Sequence, residues 1–318
     1  MKYKVLLLET IDDGALQLLQ QQEDVELVEA YDSTNPENLA KKHEVHAIIT
    51  RGKGQVHPQL MDACPQLKAI ARCGVGLDNI DVSAASERKI PVLNAPGTNS
   101  ATIAEHTLSL MLMLVRNMYQ SVRQVKDDNW RWRTKYTGDE LGGKTLGVLG
   151  MGNIGQRVAR FAEMIGMKVI YWDQRAADVA YPQHSMDEVF QKSDVVTIHL
   201  PLTPETEGLV DEEVLEMMQP HAYLINTARG QIVDQVALRK MLQNGHLAGF
   251  AADVLAKEPP STHDPLLSMP NVLITPHSGS LTATTYRNMC MLSVNNVLAV
   301  LHGKEPKAGC IFNEKALV

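Results

Sequence analysis

Short apolar runs bounded by polar and turn residues recur along this chain, and stretches whose apolar residues fall at helical spacing stand between them. Near the start, the runs at 5–8, 46–50, 67–71 and 90–93 have strand length, and helical stretches such as 12–21 and 58–63 alternate with them. This predicts a small α/β sheet. Residues 98–125 read as one long, mostly apolar helix, with Ser100 or Thr98 as its cap and Glu105 in the following turn. Residues 127–141 break the pattern. Strand-like runs then return at 145–149, 168–172, 195–199, 222–226, 249–253 and 272–275, each pair separated by a helix-length segment. That is the rhythm of a doubly wound parallel sheet of six strands. A second long helix, 282–301, follows Pro276, and the tail after it can return to the first sheet.

The expected fold class is therefore α/β: a doubly wound (Rossmann) domain over residues 98–289, and a smaller flavodoxin-like α/β domain from 1–97 and 290–318, with a cleft between. The length of 318 residues suits two domains. A formal charge of −7 argues against a nucleic-acid partner, which needs a basic footprint. The one basic-aromatic run, Arg131, Arg133 and Lys135 interleaved with Trp130, Trp132 and Tyr136, reads as a contact arm. Cys64, Cys73, Cys290 and Cys310 are scattered, without CxxC or a nearby His at ligand spacing, so reduced thiols of a cytoplasmic protein and no metal site are expected. The N-terminal apolar run is too short for a signal peptide and reads as a buried strand. The longest apolar run, 108–115, falls far short of the roughly 20 residues that span a bilayer, so no membrane partner is expected.

The most informative stretch runs from Lys144 to Gly155. A short strand enters Gly150-x-Gly152-x-x-Gly155, after which Ile154, Val158, Phe161, Ala162 and Ile165 recur at helical spacing. Gly150 allows the tight turn, Gly152 lets backbone approach a pyrophosphate, and Gly155 lets helix and strand pack closely. The N–H groups of the helix N-terminus then face the phosphates. Asp173 ends the next strand, where a carboxylate can accept both ribose hydroxyls of NAD and repel the 2′-phosphate of NADP; the neighbouring Arg175 leaves room for the latter. Further polar residues stand at or just beyond the C-terminal ends of later strands: Arg229, Asp253, Glu258 and His277. A guanidinium, a carboxylate and an imidazole beside a nicotinamide suit carbonyl reduction, with Arg polarising the oxygen and His passing the proton.

Six ordered motifs together resemble the D-2-hydroxyacid dehydrogenases, from the first strand almost to the end of the chain. They are Ala71-Arg-Cys-Gly-Val-Gly-Leu-Asp-Asn-Ile-Asp81, the glycine fingerprint, His199-Leu-Pro-Leu-Thr-Pro-Glu-Thr206, Asn226-Thr-Ala-Arg-Gly-Gln-Ile-Val-Asp234, Ala252-Asp-Val254 and Thr275-Pro-His277. The resemblance implies that His277 is the general acid/base at the 2-hydroxyl, that Glu258 hydrogen-bonds its imidazole, and that Arg229 binds the substrate carboxylate and carbonyl. It implies that Asn153 and Ile154 meet the pyrophosphate, that Asp173 holds the adenosine ribose, and that Leu200, Thr227, Ala228, Asp253, Ser278 and Gly279 hold the nicotinamide end. Gly74, Val75 and Gly76 would offer backbone N–H groups to the substrate carboxylate.

Within that family the pattern resembles the D-3-phosphoglycerate dehydrogenases in particular. Two arginines carry this reading, because Arg51 and Arg72 at strand ends could clamp a phosphate, with Arg133 or Lys53 adding to them. The expected reaction is NAD-dependent oxidation of 3-phosphoglycerate in serine synthesis, by a homodimer. Val318 follows soon after the returning segment, so no C-terminal regulatory domain and no feedback inhibition by serine are expected. The two glycines of Thr50-Arg-Gly-Lys-Gly54 depart from the small polar residues related chains carry there. The alternatives are a hydroxypyruvate or glyoxylate reductase and, from another class, an NAD-sensing corepressor-like binding protein.

Overall fold

The computed structural model describes residues 2–31 and 33–317. The chain divides into two compact units, Met1–Asn99 with Leu281–Val318, and Ser100–Ser280. The second crossing falls at Leu281 rather than at the expected residue 290, because Ala283–Leu301 is a single uninterrupted helix capped by the Thr282 side chain. A division at 290 would cut through its hydrogen-bonded turns.

In the first unit, β1 (Tyr3–Leu7), β2 (Val25–Glu29), β3 (Ala47–Thr50), β4 (Ala69–Arg72) and β5 (Val92–Leu93) form a parallel sheet in the order β2-β1-β3-β4-β5. This is the flavodoxin-like doubly wound order. Successive side chains point to opposite faces of a strand. Leu6, Ile48 and Ile70 therefore pack on Leu60, Ala84 and Ala85. Val5, Leu7, Ile49 and Ala71 pack on Cys290, Val294 and Val297 of the helix Ala283–Leu301. Each such aliphatic side chain contributes on the order of 1.5–3 kcal/mol on burial. The tail returns to β5, where the Phe312 N–H donates to Val92 O at 2.8 Å and the Asn94 N–H to Cys310 O at 3.0 Å. β2 was not expected. It is an edge strand in which only Val25 and Val28 are buried, so its apolar pattern is faint.

In the second unit, β6 (Thr145–Leu149), β7 (Lys168–Trp172), β8 (Val195–Ile198), β9 (Tyr223–Asn226), β10 (Gly249–Ala252) and β11 (Val272–Ile274) form a six-stranded parallel sheet. Its order is β11-β10-β9-β8-β6-β7. A parallel bridge from Tyr171 to Gln183 continues the β7 edge, so the sheet follows the Rossmann order with one strand reduced to a bridge. The order reverses at β6, whose neighbours are β7 and β8, and that switch point is where open α/β sheets take their ligands.

The expected single helix over 98–125 is two helices, Ser100–Val115 and Met118–Lys126. Asn117 breaks it with a φ of 49°, the left-handed conformation that Asn adopts more readily than most residues when a helix ends. Thr98 does not cap the first helix; its hydroxyl donates to Ala95 O. The run after the second helix contains the short 3-10 turn Trp130–Lys135. Among the described residues, no helix is long and apolar enough to cross a membrane.

Candidate active site

The glycine turn after β6 has the shape its sequence requires. Gly150 adopts a φ of +92°, and a Cβ there would lie 2.7 Å from His199 O. At Gly155 a Cβ would run into the Gly150 carbonyl, so only glycine lets the helix Asn153–Met164 start this close to the strand. At Gly152 a Cβ would meet nothing within 4 Å. Gly152 and Asn153 are exposed, Ile154 is half-buried, and no side chain caps this helix. Its first N–H groups are thus aimed at open space, the arrangement that takes up phosphate oxygens. Asp173 lies beside the same turn, where Oδ2 accepts the Met151 N–H at 2.8 Å and Oδ1 the Arg175 N–H at 3.1 Å. Each carboxylate oxygen retains acceptor capacity for a hydroxyl. Leu200 is buried, with its side chain against Gly150. His199 is held neutral, because burial pushes its pKa down to about 3; Nε2 bonds Thr197 Oγ1 at 3.0 Å. It is a structural imidazole.

At the ends of β9, β10 and β11 the remaining residues converge. Thr227 Oγ1 pairs with Thr107 Oγ1 at 2.8 Å, and the Ala228 N–H donates to Asn226 Oδ1 at 3.0 Å. Asp253, buried at 2% exposure, accepts the Thr275 hydroxyl at 2.6 Å, the Ser278 N–H at 2.9 Å and the Gly279 N–H at 2.8 Å. His106 Nε2 lies 3.5 Å from this carboxylate and 2.9 Å from Thr275 Oγ1. Asp253 therefore holds the turn that carries His277, and the N–H groups of Ser278 and Gly279 are committed to it. At Gly279 a Cβ would lie 2.8 Å from Asp253 Oδ2, so a larger residue would push this turn away.

His277 sits on that turn in the left-handed region, with a φ of 52° and its N–H donated to Thr275 O at 2.9 Å. A non-glycine residue there carries a cost of roughly 1–2 kcal/mol, which the Asp253 bonds offset. His277 Nδ1 lies 2.7 Å from Glu258 Oε2, and Glu258 Oε1 accepts the Leu255 N–H at 2.9 Å. The bond to Glu258 pushes the imidazole pKa up, outweighing burial. For Glu258, burial alone would raise the pKa, but the bonds from His277 and the Leu255 N–H and the Arg229 charge together bring it down. The bond thus favours the imidazolium and the carboxylate over their neutral forms, and His277 keeps 48% of its side chain exposed. Arg229 is half-buried and tethered through Nη1 to Ala228 O at 2.7 Å.

In the first unit, Arg51 is half-buried and already has partners in its own protein. Its Nε lies 3.8 Å from Glu9 Oε1, its Nη1 donates to the Tyr286 hydroxyl at 3.2 Å, and its guanidinium stands 5.4 Å from the Tyr286 ring centre. Arg72 donates from Nε to Asn79 Oδ1 at 3.2 Å and lies across Gly74, where a Cβ would collide with it. The Gly74 N–H donates to Arg72 O at 2.8 Å, so it is not one of the amides left for a ligand. Among the described residues, the Val75 and Gly76 N–H groups meet no backbone carbonyl. Arg133 lies in the exposed 3-10 turn of the second unit, apart in sequence and unit from Arg51 and Arg72. Glu9, Tyr286 and His106 were missed by the sequence reading. A charged residue just past the end of β1 and a histidine within an apolar helix were the available signals.

Residues 108–279 match the family described as "D-isomer specific 2-hydroxyacid dehydrogenase, NAD binding domain". The chain is 36% identical over 305 residues to a D-3-phosphoglycerate dehydrogenase of Archaeoglobus fulgidus, covering 94% of this chain and 58% of that protein. It is 38% identical over 304 residues to a glyoxylate reductase of Aeropyrum pernix, covering 92% and 91%. A crystal structure of a protein from Thermus thermophilus superposes with a TM-score of 0.89 at 38% identity, covering 96% of this chain and 98% of that one. The chain belongs to the D-isomer specific 2-hydroxyacid dehydrogenase family, and its second unit carries the NAD-binding domain of that family. It spans a little under three-fifths of the length of the phosphoglycerate dehydrogenases it matches, which it covers to 58% and 57% in Archaeoglobus fulgidus and Bacillus subtilis.

Proposed function

We propose that this chain interconverts D-2-hydroxy acids and 2-keto acids with NAD(H), through His277 as acid/base. The single observation that carries the reading is the 2.7 Å bond between His277 Nδ1 and Glu258 Oε2. Glu258 fixes the ring and favours its charged form, so Nε2 can give a proton to a keto oxygen and take it back from a hydroxyl. Bound NADH supplies the hydride. Arg229, always cationic, binds the substrate carboxylate and stabilises charge building on the oxygen. Asn153 and Ile154 take the pyrophosphate on their N–H groups, and Asp173 accepts the ribose hydroxyls. The Val75 and Gly76 amides receive the acid's carboxylate.

Two substrate classes have specific support. The sequence expectation, 3-phosphoglycerate, has Arg72 and the phosphoglycerate dehydrogenases among the relatives. An unphosphorylated acid such as glyoxylate or hydroxypyruvate has the Glu9 carboxylate beside Arg51, and a glyoxylate reductase matched along 91% of its length. We favour the unphosphorylated class. Homodimer formation is part of the proposal, supported by the exposed Met118, Tyr119, Val122, Val125 and Trp130. Four buried free cysteines support a cytoplasmic setting. The test is NADH consumption with glyoxylate, hydroxypyruvate and 3-phosphohydroxypyruvate in parallel. Turnover of at least one of them supports the reading; no turnover with any of them, in protein that binds NADH, counts against it.

A further inference from the structure

Glu9 follows β1 and turns its carboxylate onto the loop after β3. Its Oε2 accepts the N–H groups of four consecutive residues, Arg51 at 2.9 Å, Gly52 at 2.6 Å, Lys53 at 2.9 Å and Gly54 at 3.0 Å. The Thr50 hydroxyl, which donates to Gly54 O at 2.7 Å, also lies 3.2 Å from this oxygen. Burial alone would raise the Glu9 pKa, but these four amides bring it below the ordinary carboxylate value. Successive backbone N–H groups turned to one point form a nest for an anion. Beside this one stands Arg51, whose Nε is 3.8 Å from Glu9 Oε1. An amide nest with a guanidinium at its rim is what a phosphate ester uses. Here a carboxylate of the protein's own, only 9% exposed, already fills it.

We propose that Glu9 determines specificity by occupying the anion nest of residues 51–54, so that the enzyme prefers 2-keto and 2-hydroxy acids with an uncharged tail over phosphorylated ones. This rests on the function proposed above and adds to it that Arg51 and the nest of residues 51–54 meet the substrate tail. A phosphate arriving at Arg51 meets amides that are already bonded and a negative charge that cancels the guanidinium. To bind, it must displace a buried carboxylate or sit beside it, and either route is unfavourable. A hydrogen or hydroxymethyl tail meets no such opposition. The loop stays ordered in both cases, because Glu9 supplies from within the anion that a substrate would otherwise bring.

Glu9→Gln is the informative variant, since its amide oxygen can still accept the loop N–H groups while the charge is gone. Two measurements are made on the full chain. The first is the ratio of kcat/KM for 3-phosphohydroxypyruvate to that for hydroxypyruvate. It should rise about tenfold in Glu9→Gln, mainly through the KM of the phosphorylated acid, as expected when one nearby like charge is removed. The second is calorimetric binding of inorganic phosphate, which should tighten by about the same factor. An unchanged ratio together with unchanged phosphate affinity overturns the proposal. Tighter phosphate binding without turnover of any keto acid by wild type or variant upholds the role of Glu9 as an anion filter and overturns the assigned reaction instead. The wild-type chain gives a check independent of how the variant folds: it should favour hydroxypyruvate over its phosphorylated form by about tenfold or more, and the opposite preference overturns the proposal.

Discussion

His277 Nδ1 and Glu258 Oε2 are 2.7 Å apart, and the two groups move each other's titration in opposite directions. The imidazole keeps its proton above its ordinary pKa of 6.5, and the carboxylate stays ionised below its ordinary 4.5. A raised histidine pKa gives stability that is complete below 6.5 and is lost as pH rises through the raised value. A lowered glutamate pKa gives stability present above 4.5 and lost as pH falls through the lowered value. Keto-acid reduction needs the protonated ring, so wild-type kcat/KM for reduction should hold above pH 6.5. In Glu258→Gln the alkaline limb should move to lower pH, as read from pH–rate profiles with a single keto acid. An unmoved limb would separate His277 from Glu258 in the mechanism.

Asp253 should matter for position more than for charge. Its two oxygens hold Thr275, Ser278 and Gly279 around the left-handed turn at His277. Asp253→Asn replaces one acceptor with a donor that faces an N–H, leaving a buried group unsatisfied. A loss of roughly 1–3 kcal/mol in unfolding free energy is expected, with a fall in kcat larger than any change in KM for NADH. Denaturant melts and steady-state kinetics check both.

Asp173 should decide between the two nicotinamide cofactors. Its carboxylate is anchored to the glycine turn through the Met151 N–H, so it is fixed where the ribose is expected. Asp173→Ala should raise the KM for NADH about tenfold, the scale of a charge-assisted hydrogen bond. The same change should improve use of NADPH by removing a repulsive charge. Kinetics with both cofactors at fixed keto acid decide it, and an unaltered NADH-to-NADPH preference would argue against this role.

What was legible in the sequence depended on how local the cause is. Gly150, Gly155 and Asp173 act within one strand-turn-helix-strand segment, and their spacing alone marks the turn and the residue beside it. All six strands of the second sheet were expected, because they are mostly apolar and the central ones are buried along their whole length. The edge strand β2 buries too little to leave such a run, and nothing in hydrophobic spacing encodes the left-handed Asn117 that divides the expected long helix. Glu9 with Arg51, 42 positions apart, and His106 with Thr275, 169 apart, are pairings that only the folded chain creates. Arg51 was expected to clamp a phosphate, because its partner Glu9 follows β1 while Arg51 follows β3, and only the fold brings the two together.

If His277 carries the proton, wild type and His277→Ala should differ in turnover and not in cofactor binding. Each protein would be assayed for NADH binding by fluorescence titration and for NADH consumption with the best keto acid of the panel. His277→Ala should keep the NADH affinity of wild type and lose about a hundredfold or more in kcat, the contribution of a positioned acid/base. Turnover in His277→Ala equal to wild type would contradict that role.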